Sequence, residues 1–492
     1  MKPRRARRTL SFTLLVVCAA PLLPQQNVER ILIDAQAGAR PFNHFWEQMF
    51  GSGRANLSLR ESYRRDLAAT RRITDFKYVR FHAIFHDENG VAANDGSYNW
   101  SYVDQIYDGL LANGVQPFVE LSFMPRQLAA REALHPFWYK PIVSPPKDWN
   151  RWGALVEAFT RHLVRRYGMD AVALWYFEVW NEPNIDFWAG DPKYETYLQL
   201  YESASRAVKR VSPRIRVGGP ATAQAAWVDR FIAWAAQSGA PVDFVSTHVY
   251  ANDTAKDVFG ANENIPRRDM VGRAVRKVYD QVQKSPRPSL PIIWSEYNAS
   301  YMNEVNVTDS AFMGPWLANN IRVCDGLTES MSYWTFSDVF EEQGVVKSPF
   351  HGGYGLIAAG GIPKPAFNAF ALLHRLGTER LANASENALV TRGPNGALAI
   401  AVWNYADPGQ AGAPRTFRVE FTRGTPVLKV TVIDEQHGSA LAAWKAMGSP
   451  VNPTRQQVEQ LRAAAALPAS ARFTGTDITL PAHGLALFES DR

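Results

Sequence analysis

A (β/α)8 barrel (the TIM-barrel class of α/β fold) with a C-terminal β-sandwich is the architecture the sequence predicts, and three observations predict it. Between residues 45 and 376, eight short apolar runs rich in β-formers alternate with eight amphipathic stretches, the pattern of repeated strand–helix units. After about residue 378 the helical stretches give way to short strands separated by turn residues, the texture of a sandwich. Residues 28–34 read as a strand that precedes the barrel and has no place in it, so it is expected to join the sandwich. The boundaries read this way are a leader at 1–25, a barrel at 40–377 and a sandwich at 378–492, the last completed by a strand within 27–36.

The expected barrel strands are 45–50, 76–82, 115–121, 174–180, 215–219, 242–250, 291–296 and 331–336. The expected helices are 59–72, 101–113, 149–167, 193–210, 226–238, 268–284, 310–324 and 364–376. Among these, 149–167 places Trp152, Leu155, Val156, Phe159 and Leu163 at helical spacing. The sandwich strands are read at 388–391, 397–403, 416–421, 427–433, 477–480 and 484–488. One helix, 453–465, interrupts them, with Asn452 as its cap and Pro453 at its first position. An open doubly wound sheet is the alternative to a closed barrel. It usually carries a Gly-rich phosphate turn after its first strand, and Gly51-Ser52-Gly53 lacks the third glycine. That segment reads as a tight loop.

Charge excludes one class of partner. The chain of 492 residues has a formal net charge of +6, but five of those charges are Lys2, Arg4, Arg5, Arg7 and Arg8, in a segment without acids. Beyond residue 25 the balance is +1, so a basic surface for nucleic acid is not expected. The basic start is followed by the apolar run 10–20, the length of a secretory leader and too short to span a bilayer. Val17 before Cys18 is larger than a lipid-attachment site accepts, so an ordinary cleaved leader is expected, with a periplasmic or secreted product. No later segment is apolar for long enough to span a membrane. Cys324 is then the single remaining cysteine, which precludes an internal disulfide.

A barrel of this kind holds its site at the C-terminal ends of its strands. The fourth strand ends in Glu178-Val179-Trp180-Asn181-Glu182-Pro183, and the seventh in Trp294-Ser295-Glu296-Tyr297. Carboxylates on strands four and seven can converge over the ring, and paired carboxylates flanking a bond are the machinery of glycoside hydrolysis. Asn181 and Glu182 are adjacent, so strict alternation would oppose them, and the strand must bulge or end there. Glu178 shares the parity of Glu182 but lies deeper, where it requires a cation; Arg80 and His82 on strand two are the candidates. His248 and Tyr250 share one face at the end of strand six, and Trp334 on strand eight offers a flat platform for a sugar ring. HExxH, CxxC and Gly-x-Ser-x-Gly are absent, so neither metal, cofactor nor a serine nucleophile is expected.

Asn181-Glu182-Pro183 with Glu296 resembles the large clan of retaining glycosidases built on this barrel. Gly51-Ser52-Gly53-Arg54-Ala55, Phe137-Trp138-Tyr139-Lys140, Pro145-Pro146-Lys147-Asp148-Trp149 and the run from Trp334 to Glu342 are similar to glycoside hydrolase family 39, which contains β-xylosidases and α-L-iduronidases. The resemblance implies Glu182 as general acid/base, Glu296 as nucleophile and Asn181 on the sugar 2-hydroxyl. It implies Arg80 holding the nucleophile ionised, the Tyr250 hydroxyl near the nucleophile and His248 near the acid/base. His82 stands between a substrate contact and a core histidine. An acid after strand eight is implied on sugar hydroxyls, and Glu341 and Glu342 are equal candidates. The expected activity is an exo-acting β-D-xylosidase on xylo-oligosaccharides. α-L-Iduronidase, another β-glycosidase and a non-catalytic carbohydrate-binding protein are the alternatives. Phe336 and Phe340, or alternatively Phe137 or Trp138, are expected to fill the space a glucose hydroxymethyl would need.

Overall fold

The computed structural model describes residues 28–490; the leader expected at 1–25 lies outside them. Eight parallel strands close into a ring: β1 Met49–Gly51, β2 Tyr78–Phe81, β3 Gln116–Leu121, β4 Tyr176–Val179, β5 Arg216–Thr222, β6 Phe244–Tyr250, β7 Ile292–Asn298 and β8 Ser330–Tyr333. β8 pairs with both β7 and β1. The helices Glu61–Arg71, Ser101–Ala112, Trp149–Tyr167, Lys193–Val211, Val228–Ser238, Arg267–Gln283, Met313–Cys324 and Pro365–Leu373 each follow one strand. This is the closed barrel expected. Trp149–Tyr167 starts where the Asp148 side chain accepts from Asn150 N and stops at Gly168, whose φ of +84° few other residues adopt.

Inside the ring, alternation stacks the side chains in layers. Met49, Phe118, Phe244 and Ile293 fill the floor, with Tyr78 and Tyr176 against them. Gly218 on β5 makes room for this floor, since a Cβ there would stand 2.4 Å from the Phe244 carbonyl oxygen. Two residues further along the strands lie Arg80, Glu120, Glu178 and Ser295, all buried. The apolar floor thus supports a charged storey, and that storey carries the mouth of the barrel.

The sandwich sets a three-stranded sheet (Glu29–Ile33, Arg415–Phe421, Asp477–Leu480) against a seven-stranded one. The N-terminal strand joins it as expected, parallel to Arg415–Phe421. Ile31, Ile33, Val390, Ile400, Phe417 and Phe488 fill the space between the sheets. The intervening residues of the larger sheet, Leu389, Ala399, Ala401 and Leu487, enter the barrel's own core. Period-two alternation therefore makes one sheet serve two cores. Three short strands, Ala39–Pro41, Glu379–Leu381 and Ala471–Phe473, and the helix Leu441–Ala446 were not expected. The last helix begins later than predicted, at Arg455. Its cap is Thr454, which forms a capping box with Gln457 and leaves Asn452 and Pro453 outside. Among the described residues no helix is long and apolar enough to cross a membrane.

Candidate active site

The C-terminal mouth of the barrel holds a cavity of about 360 Å³. Glu182 and Glu296 both line it, and an oxygen of each lies within 4.8 Å of the other and of a His248 ring nitrogen. Two breaks in alternation produce this meeting. β4 ends at Val179, and Trp180 and Glu182 then adopt left-handed φ angles of 73° and 42°, so Asn181 and Glu182 both reach the mouth. On β7 the register with β6 shifts after Thr247, pairing His248 with Glu296. That irregularity lets Ser295 and Glu296, adjacent in sequence, both serve the interior.

Arg80 is the hub beneath the pair. It donates from Nη1 to Glu296 Oε1 at 2.6 Å, from Nε to Glu178 Oε2 at 2.6 Å and from Nη2 to Asn181 Oδ1 at 2.9 Å. Its Nη2 also lies 2.8 Å from Glu120. Burial opposes this guanidinium's charge, and the Glu178, Glu120 and Glu296 carboxylates overcome that opposition and raise its pKa. Asn181 spends its oxygen on Arg80, which leaves its NH2 group to donate into the cavity. Tyr250 donates its hydroxyl to Glu296 Oε2 at 2.6 Å, so Glu296 has a donor on each oxygen.

Glu182 has the opposite surroundings. Burial and then the nearby Glu296 charge push its carboxyl well above the usual range, since both disfavour the ionised form. His248 Nδ1 lies 2.9 Å from Glu182 Oε1, and Nε2 lies 3.1 Å from Ser295 Oγ. Burial, with Arg80 and His82 nearby, holds the His248 imidazole neutral, its pKa well below the ordinary value. The two facing carboxyl groups thus have unlike surroundings, Glu296 with a donor on each oxygen and Glu182 against a neutral imidazole.

The remaining expected residues separate. His82 lines the cavity, tied to Glu120 at 2.7 Å through Nδ1, with Nε2 3.6 Å from Glu342. Trp334 lies across Gly51, where any Cβ would stand 2.0 Å from the indole. The Gly51-Ser52-Gly53 segment is thus the seat of the Trp334 ring, a more specific role than the tight loop expected. Of the two acids after β8, Glu342 reaches the cavity, while Glu341 turns away to Arg60 (2.5 Å) and Arg54 (3.2 Å). Placing Glu341 on the sugar is therefore corrected. Phe336 is also misplaced as a wall: it is buried against Tyr63 and Phe76. Trp138 is half exposed and stacks on Arg54. Phe137 lines the cavity, and Phe340 packs edge-on to Trp334.

Sequence reasoning missed Glu120, His135, Gln224, Asp253 and Tyr354. Glu120 carried a signal, a carboxylate at the end of a barrel strand. Asp253 and Gln224 sit in loops, where no period points to a face. Two groups of His and Glu come close enough to share an ion among the described residues. One is Glu182, His248 and Glu296; the other is His44, Glu47 and His374, before β1. In both, the imidazoles are already hydrogen-bonded to the carboxylates.

A closed (β/α)8 barrel with two unlike carboxylates facing each other over its mouth defines a glycoside hydrolase. The chain belongs to glycosyl hydrolases family 39, whose profile matches residues 29–476. It is 38% identical over 444 residues to a beta-xylosidase of Geobacillus stearothermophilus, covering 87% of each chain. The crystal structure of a monomeric beta-xylosidase from Caulobacter crescentus superposes with a TM-score of 0.85 at 35% identity, covering 94% of this chain and 99% of that one. The human alpha-L-iduronidase is more distant, 24% identical over 528 residues, covering 94% of this chain and 78% of that one.

Proposed function

We propose that the protein is a retaining, exo-acting β-D-xylosidase that removes terminal xylose from xylo-oligosaccharides. The observation that favours retention is that one oxygen of Glu182 and one of Glu296 lie within 4.8 Å of each other. Inverting pairs stand about 6.5–9.5 Å apart to admit a water, and retaining pairs about 5–5.5 Å. Glu296 attacks the anomeric carbon while Glu182 protonates the departing oxygen, which leaves a glycosyl ester on Glu296. Glu182, now ionised, then takes a proton from the water that cleaves the ester. Asn181 donates to the 2-hydroxyl, Trp334 stacks on the ring, and Glu342 and His82 bind hydroxyls.

The sugar is argued from the relatives' names and from the wall's charge. The cavity is lined by the carboxyl groups of Glu182, Asp253, Glu296 and Glu342 and, among the described residues, by no lysine or arginine. A uronate would need a cation there, so a neutral pentoside fits better than an iduronide. Aromatic side chains from several loops (Phe137, Phe187, Tyr301, Tyr354) enclose the cavity, which favours cleavage at chain ends. A panel of 4-nitrophenyl glycosides tests the sugar, and proton NMR of the first-formed anomer tests retention. β-Xylose as first product is expected; α-xylose, or turnover confined to a uronide, overturns the reading. The basic and apolar leader supports export, which fractionation of a producing cell checks.

A further inference from the structure

Around the ring, β7 and the segments that follow β8, β2 and β3 contribute Glu296, Trp334, Glu342, His82 and Phe137, which line the cavity on the side of Glu296. Glu182 protonates the oxygen of the leaving group, so that group must lie toward β4 and β5. The segment at the end of β5, residues 221–227, stands there. It contains Ala221, Gln224, Ala225 and Trp227 at φ angles of 54°, 61°, 51° and 64°, a region unfavourable to any residue with a Cβ. Such strain persists where surrounding structure over-determines it, and it concentrates at ligand clamps.

The over-determination is visible bond by bond. Glu182 N donates to Ala221 O at 2.8 Å, and Thr247 Oγ1 to Thr222 O at 2.9 Å. Asn184 donates to Ala223 O at 3.1 Å and accepts from Ala223 N at 2.9 Å. Lys277 Nζ donates to Ala225 O at 3.0 Å, and Thr222 Oγ1 to Ala226 O at 2.6 Å. The segment is thereby fastened to the acid/base residue itself and to the turn that follows it. The Gln224 side chain is the exception: it lines the cavity, is partly exposed, and makes no hydrogen bond among the described residues.

We propose that residues 221–227 form a built subsite for the leaving group, in which the Gln224 amide recognises hydroxyls of the sugar on the far side of the scissile bond. An amide offers two donors and an acceptor, which suits a polyhydroxylated leaving group and gives nothing specific to an aromatic one. This rests on the reading of Glu182 as the acid. The test compares kcat/KM on xylobiose and on 4-nitrophenyl β-D-xyloside for the wild type, Gln224→Ala and Gln224→Gly. The glycine variant relieves the backbone and guards against a loop that fails to form. In both variants xylobiose is expected to lose about tenfold more than the aryl xyloside, the size of one hydrogen bond. An equal loss on both substrates, or no loss, overturns the proposal. A wild type that cleaves neither substrate overturns the xylose reading instead, and the same ratio is then measured on the disaccharide and aryl glycoside of the sugar it does cleave.

Discussion

The Tyr250 hydroxyl donates to Glu296 Oε2 across 2.6 Å, on the carboxylate oxygen that Arg80 leaves free. Burial and then the Glu296 charge raise the phenol's pKa well above its ordinary value, so it stays a donor throughout the neutral range. In the proposed reaction Glu296 attacks, its charge disperses into the new bond, and the tyrosine hydroxyl is free to follow that change. Removing a preorganised donor from a reacting oxygen typically costs about 10²–10³ in kcat. Tyr250→Phe is therefore expected to lose that factor on an aryl glycoside while its thermal midpoint shifts little. Steady-state kinetics beside a melting curve checks both.

Glu182 supplies a pH dependence of defined sign. As the proposed acid it works only while protonated, and burial and the Glu296 charge raise its pKa. Activity therefore persists above the normal carboxyl range and falls as pH rises through the raised value. Asp253, pushed up to about 7 by burial, lies in the same cavity, and its ionisation also opposes that of Glu182. Glu182→Gln should erase the alkaline limb of kcat/KM, leaving the largest residual rate on substrates whose leaving group needs no proton. A limb that survives in this variant belongs to another group.

How much of this was legible in the sequence depended on periodicity. The ring strands and helices show through because alternation and helical spacing run for several residues, as at Trp152 to Leu163. The ends of catalytic strands also show, since Asn181-Glu182-Pro183 and Glu296 sit where strands stop. Legibility failed where one residue decides. Three-residue strands such as Glu379–Leu381 are too short for a pattern. Thr454 took the cap from Asn452 because Gln457 stands three residues on and completes the capping box. Glu341 and Glu342 are chemically identical neighbours in a loop, and only Arg54 and Arg60, far off in sequence, divide them.

Behind the cavity, Lys364 is fully buried with Nζ 2.7 Å from both Asp309 and Asp338. These two acids accept from Gly352 N and Gly355 N, so the ion group pins the loop that carries Glu342 and Tyr354 to the wall. Removing one partner from such a group strands buried charge and costs about 3–5 kcal/mol. Lys364→Met should lose that much in denaturant unfolding. Burial already raises the pKa of Asp309, and losing the lysine raises it further. A raised carboxyl loses its stabilising contribution as pH rises through its folded value, so the deficit should grow toward neutral pH and shrink in acid. A deficit independent of pH would mean that the acids do not carry it.

The two acids after β8 give the last prediction, because they differ in surroundings and not in chemistry. Glu341 lies 2.5 Å from Arg60 and 3.2 Å from Arg54, and its salt bridges hold its carboxyl below the usual range although burial opposes them. Glu342 faces the cavity, its Oε1 3.6 Å from His82 Nε2 but without a hydrogen-bond partner among the described residues, and burial with the Glu296 and Glu182 charges pushes its carboxyl well up. An unpaired buried polar atom in a sugar site is completed by a substrate hydroxyl. Glu342→Ala should therefore lose roughly 1–3 kcal/mol of transition-state binding, about 5–150-fold in kcat/KM, the cost of leaving a buried hydroxyl without its partner. The loss should be smaller on a substrate lacking the contacted hydroxyl. Glu341→Ala should act through stability, lowering the thermal midpoint by taking the carboxylate from Arg60 and leaving Arg54 only Glu88, with no dependence on which sugar hydroxyl is deleted. Deoxy-xyloside kinetics on both variants separates the two roles. If Glu341→Ala shows the hydroxyl-specific loss and Glu342→Ala does not, the assignment reverses.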